Sequence, residues 1–160
     1  DKIIINTAIF ENQNLICKLN DLFGRQSIVG SIDCKGDENG NYNVYSNHGQ
    51  VKRGNLEDLI PDLPLHLLGD IYIQSILRDG TGQGLDFELI SKIKKLTKNP
   101  LILAGGIGKS SHFIDAYVGH NLNSVSTAHL FNFIGMGLYN ARKFAIENNV
   151  NLAKWCEFTN

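Results

Sequence analysis

Two glycine-bearing corners constrain this chain more than any other feature. Ile76-Leu77-Arg78-Asp79-Gly80-Thr81-Gly82-Gln83-Gly84 follows an apolar, strand-like run and precedes a helical pattern, and Leu101-Ile102-Leu103-Ala104-Gly105-Gly106-Ile107-Gly108-Lys109-Ser110 repeats the arrangement about one βα unit later. Glycine lets backbone approach an anion closely, and the free N–H groups of a helix's first turn favour negative charge. Two such corners in consecutive units imply a phosphate-bearing ligand at the carboxyl ends of parallel strands.

The rest of the chain carries the same alternation. Strand-like runs at 2–6, 27–33, 70–75, 100–104 and 124–128 alternate with amphipathic patterns at 12–23, 55–68, 86–97, 110–120 and 135–148, making five βα units. The β-branched Ile3-Ile4-Ile5 reads as a buried strand, and Asp86 and Ser110 suit N-cap positions. Between residues 35 and 54 an insertion interrupts the alternation. Its Asn39-Gly40 predicts a type I′ hairpin, and His48-Gly49 lies farther along it, placed to fold over a ligand, with an ordinary surface histidine as the alternative. Consecutive βαβ crossovers leave a doubly wound sheet or a barrel as the options for a single domain over 1–160. Length alone favours the former, since a complete (βα)8 barrel needs about 250 residues.

Composition narrows the class further. Lys+Arg number 15 against Asp+Glu 16, with no basic cluster to attract nucleic acid, and no apolar run approaches a membrane span. Cys17, Cys34 and Cys156 contain no C-x-x-C pair and no His/Cys spacing for a metal, so reduced thiols, no metal, no cofactor and a cytoplasmic location are expected. Gly108-Lys109-Ser110 would need a glycine at Leu103 to close a P-loop, and Gly80-Thr81-Gly82-Gln83-Gly84 is not a dinucleotide fingerprint. The aromatics Phe131 and Phe133 suit a sealing role at the barrel floor or last loop better than base stacking.

Asp1-Lys2-Ile3-Ile4-Ile5-Asn6-Thr7-Ala8, Ser31-Ile32-Asp33-Cys34-Lys35, Arg78-Asp79-Gly80-Thr81 and Ala104-Gly105-Gly106-Ile107-Gly108 together resemble the cyclase subunit of imidazole glycerol phosphate synthase, in order and spacing, over nearly the whole chain. The segment from Ala128-His129-Leu130 through Gly137-Leu138-Tyr139 to Trp155 resembles a paralogous branch associated with amidino-sugar synthesis for surface polysaccharides. The resemblance implies a (βα)8 barrel, entered here at its fourth strand and present as its carboxyl-terminal five βα units. It also implies a glutaminase partner supplying ammonia, and a bis-phosphorylated ribulosyl substrate converted to imidazole glycerol phosphate in histidine biosynthesis.

Family roles transfer position by position. Asp33 matches one of two catalytic aspartates; a strand-end carboxylate bonded to its own loop is the structural alternative. The other aspartate belongs to the family's first strand, so negligible cyclase activity is expected of these 160 residues alone, leaving a phosphate-binding fragment as the alternative function. Asn6 and Thr7 match one phosphate site, with an ordinary strand terminus as the alternative. Asp79, Gly80, Thr81, Gly105, Gly106, Ala128 and His129 match the other, where backbone amides do most of the binding. His129 stands where the family has a small hydroxyl residue, and Leu77 replaces a common acidic one. Lys2 and Asp70 match a charged ring that gates ammonia at the barrel's opposite end; strand-start charges facing solvent are the structural alternative. Unpaired strands at both ends of a partial barrel predict self-association.

Overall fold

A computed structural model describes residues 1–122, 124–133 and 135–153. Its sheet contains β1 (Ile3–Ile5), β2 (Ile28–Gly36), β3 (Tyr42–Ser46), β4 (Val51–Asn55), β5 (Asp70–Ser75), β6 (Leu101–Ala104) and β7 (Ser124–Ser126). Five of these are parallel, and each pairs with the next parallel strand in the chain: β1 with β2, β2 with β5, β5 with β6, β6 with β7. A doubly wound sheet reverses its strand order at a switch point. No reversal occurs among the described strands, so the length-based expectation of a flavodoxin-like sheet gives way to a partial (βα)8 barrel.

Strand β2 spans nine residues because three strands use it. One edge pairs with β5 from Val29 to Cys34. The other pairs with β1 at Ile28, Val29 and Gly30, then with antiparallel β3 from Asp33 to Gly36. This shared edge joins the hairpin β3–β4 to the barrel strands at Asp33.

Alternation along the strands separates two faces. Ile32, Cys34, Ile71, Ile73 and Leu103 are buried in the core with Ile16 of α2 (Gln13–Phe23) and Leu89, Ile90 and Ile93 of α4 (Phe87–Leu96). Burial also pushes the Cys34 thiol well above its ordinary range, so this cysteine is a packing residue. The expected cap at Asp86 is present: its carboxylate accepts from Leu89 N at 3.1 Å, and Lys94 and Lys95 oppose the dipole at the far end. Asn12 caps α2 in the same way, accepting from Leu15 N at 3.0 Å.

Several expectations need correction. The pattern over 55–68 is not one helix: α3 (Leu56–Leu59) passes into 3-10 turns at Ile60–Asp62 and Leu65–Leu67, because Pro61 and Pro64 interrupt the hydrogen-bond ladder. The pattern over 110–120 becomes α5 (Ser111–Ile114) and a π-helical stretch Asp115–Gly119, and Ser110 makes no side-chain cap bond. Ile3 and Ile4 are 41% and 59% exposed, because among the described residues β1 has a strand partner on one side only.

The hairpin turn also differs. Residues Asp37–Gly40 close with Gly40 N donating to Asp37 O at 3.1 Å, and Asp37 Oδ1 accepts from Asn39 N and Asn41 N at 2.9 Å. Only Gly40 has positive φ, whereas a type I′ turn needs two such residues. Consecutive positive φ values occur instead at the second turn, in Asn47, His48 and Gly49 (51°, 58° and 78°), where Gln50 N donates to Asn47 O.

Candidate active site

Strand register aligns a row of side chains across the barrel strands. Asp33 pairs with Gln74, Gln74 with Ala104 and Ala104 with Ser126; two residues earlier, Ser31, Tyr72, Ile102 and Ser124 form the row beneath. Residues directly opposite in a parallel sheet share a face, so Asp33, Gln74 and Ser126 share the face opposite the helices. The Tyr72 hydroxyl lies 3.2 Å from Gln74 Oε1 and 3.4 Å from Ser126 Oγ, tying the two rows together.

Above this row opens a cavity of about 250 Å³. Its walls combine Tyr72 and Gln74 of β5, Asp79 and Gly80 of the first glycine corner, Gly105, Gly106 and Ile107 of the second, Ser126 of β7, and Thr127 and Ala128 just after it. Of the expected binding residues, Asp79, Gly80, Gly105, Gly106 and Ala128 therefore meet in one space. Thr81 instead braces its own corner, with Oγ1 donating to Arg78 O at 2.8 Å. His129 begins α6 (His129–Phe133); its side chain and that of Phe133 lie outside the described residues, as does Cys156.

The two corners are packed into each other by glycine. Gly84 N donates to Gly106 O at 2.7 Å. A Cβ on Gly106 would come within 2.1 Å of Gly84 O, and one on Gly105 within 2.7 Å of Ser75 O, while both have φ near +96°. Glycine is thus required here for loop-to-loop contact as well as for backbone approach to an anion. His112 fixes the second corner from behind: it is buried, its Nδ1 accepts from Gly108 N at 3.2 Å, and burial lowers its pKa. Thr127 Oγ1 donates to Ile107 O at 3.2 Å, joining the third loop.

Asp33 stands at the other side of the same rim, half-buried. Burial raises its pKa above the ordinary carboxylate range, against the opposing effects of a hydrogen bond from the Asn6 side chain and the nearby charge of His48. Asn6 Nδ2 also donates to Ser31 O at 3.1 Å, and Thr7 Oγ1 donates to Asn6 Oδ1 at 3.4 Å. A carboxyl whose pKa burial raises, with an amide donor beside it, is suited to passing protons to and from a ligand.

At the opposite end, where the parallel strands begin, Lys2 Nζ and Asp70 form an ion pair. Among the described residues no group of His, Cys, Asp and Glu could hold a metal ion, and no helix is long and apolar enough to cross a membrane. A second cavity, of about 200 Å³, is apolar, with Phe113, Phe131, Leu138 and Ala141 among its walls; Phe131 stacks on Phe113 there. It offers no chemistry. Sequence reasoning passed over Tyr72, Gln74, Ser126 and Thr127, although polar residues at every second position of 70–75 signalled an inner polar face.

A sequence profile of the family described as histidine biosynthesis protein matches residues 1–134. Named relatives agree. A protein of Parasynechococcus marenigrum named "Putative imidazole glycerol phosphate synthase subunit hisF2" is 35% identical over 157 residues, covering 97% of this chain and 58% of the relative. The imidazole glycerol phosphate synthase subunit HisF of a Thermotoga species is 33% identical over 153 residues, 95% of this chain and 60% of its own length. A second hisF2 protein, from Pseudomonas aeruginosa, is 36% identical over 137 residues, 84% and 54% of the two chains. The chain thus spans little more than half the length of these relatives.

Proposed function

Because this chain belongs to the histidine biosynthesis protein family, we propose that it carries one side of a cyclase-type active site, in which ammonia from a glutaminase partner is joined to a bis-phosphorylated ribulosyl substrate to give imidazole glycerol phosphate. The single observation that carries this reading is the shared rim: a cavity between two glycine corners, with the half-buried Asp33 carboxyl one strand away. One phosphate rests on the backbone at Gly80, Gly105 and Gly106, the other on Asn6 and Thr7, and the carbon chain between them passes Asp33. Asp79 repels phosphate, so it anchors its loop or meets ligand hydroxyls. Asp33 then takes and returns protons as the ring closes, a task suited to an acid whose pKa is raised toward the working pH. Lys2 and Asp70, at the far end of the strands, gate the ammonia.

The amidino-sugar branch is the second reading, favoured by Leu77 and His129 at rim positions and by the two hisF2 relatives. Calorimetry with a bis-phosphorylated substrate analogue, run beside an ammonia-dependent turnover assay, tests the proposal. These 160 residues contain one of the two carboxylates, so binding without turnover is expected. Absence of binding contradicts the phosphate sites, and turnover by the chain alone contradicts the two-carboxylate mechanism.

A further inference from the structure

The turn at Asn47–Gln50 has no role in the reading above, yet the fold invests in its position. Arg53, in the middle of β4, bonds Glu11, donates from Nε to the buried Ser46 Oγ at 2.6 Å and lies 5.5 Å over the Phe10 ring, fixing β3 and β4 against α1 (Ala8–Glu11). On the other flank the Tyr42 hydroxyl donates to Asp86 at 2.8 Å. The hairpin is therefore braced on two sides. Its tip reaches the rim, where Asn47 N donates to Thr7 Oγ1 at 3.4 Å.

Three successive residues at the tip hold positive φ, and two of them, Asn47 and His48, are not glycine. Such backbone persists where surrounding structure demands it, and it often marks a ligand-contacting segment. His48 is exposed, yet close enough to Asp33 for their charges to interact. Charged groups on the elements about this tip are Asp33 and Lys35 on β2, Lys52 and Arg53 on β4, and Glu11 on α1, of which Arg53 and Glu11 are paired.

We propose that His48 is a ligand-contacting residue: carried by the braced hairpin beside Asn47, whose N–H reaches Thr7, it donates a hydrogen bond to the anionic oxygen of the ligand seated at Asn6 and Thr7. This rests on the rim reading of the preceding subsection and adds a phosphate contact from outside the barrel strands.

The test is a titration of the chain with inorganic phosphate, followed by the nuclear magnetic resonance signals of the His48 imidazole and of the Gly80 and Gly106 amides. Phosphate is expected to shift the His48 imidazole signals, and His48→Asn, which tolerates the positive φ, is expected to weaken phosphate binding at Thr7 about tenfold, as for one charge-assisted hydrogen bond. Shifts at Gly80 and Gly106 with His48 silent overturn this proposal and leave the rim reading intact. Phosphate that shifts none of these signals overturns both.

Discussion

Asp33 combines two demands that oppose each other. Its carboxylate is partly desolvated, so its folded-state pKa lies above that of the unfolded chain. The sign follows from linkage: the folded form binds this proton more tightly, so the favourable contribution exists below the unfolded pKa, near 4, and is lost as pH rises through the folded value. At neutral pH the charge is therefore destabilising. Asp33→Asn should raise the urea midpoint at pH 7, and the gain should fade below about pH 4. A lowered midpoint at pH 7 would show instead that the Asn6 bond outweighs desolvation. The glycines give a paired prediction. Gly80→Ala meets open space and bears only the cost of positive φ, about 1–2 kcal/mol. Gly106→Ala adds a collision with the Gly84 carbonyl and should cost about 2–4 kcal/mol, measured by denaturant unfolding.

Among the elements, the β6–α5 loop depends on a neutral imidazole. Gly108 N donates to His112 Nδ1, and burial holds the His112 pKa below its ordinary value, with Lys109 acting in the same direction. An unfolded imidazole takes its proton near pH 6.5, above the folded value, so stability should fall as pH drops below that point. His112→Gln, which cannot titrate, should flatten this acid limb of a midpoint-against-pH plot. The same scale shows what was legible in the residues. Glycine corners, strand runs and the Asp86 cap follow from local chemistry, and each occurs near its expected place. The failures have tertiary or steric causes. Prolines at 61 and 64 cut a helix whose apolar spacing was otherwise sound. The Asn39-Gly40 turn was mistyped because Asp37 takes over the backbone donors of that loop. The cross-strand row Asp33–Gln74–Ala104–Ser126 depends on register, which no single strand encodes.

For the whole molecule, five parallel strands in unreversed order place every glycine corner and Asp33 at one end and the Lys2–Asp70 pair at the other. At the ends of the described sheet, β1 and β7 each pair with one parallel strand, and Ile3 and Ile4 face outward from β1. An exposed apolar edge templates strand addition. We expect the 160-residue chain to form dimers or larger species, and Ile4→Lys to shift the population toward monomer by sedimentation velocity. A monodisperse monomer of the unaltered chain would count against an adhesive edge.

The central claim is that one bis-phosphorylated ligand spans the rim from the glycine corners past Asp33 to Thr7. Diffraction from crystals grown with a bis-phosphorylated ribulosyl analogue tests it most directly. The expected map shows one phosphate against Gly80 and Gly106, the other against Asn6 and Thr7, and the carbon chain beside Asp33. A ligand seated at the Lys2–Asp70 end, or in the apolar cavity beside Phe113 and Leu138, would contradict it.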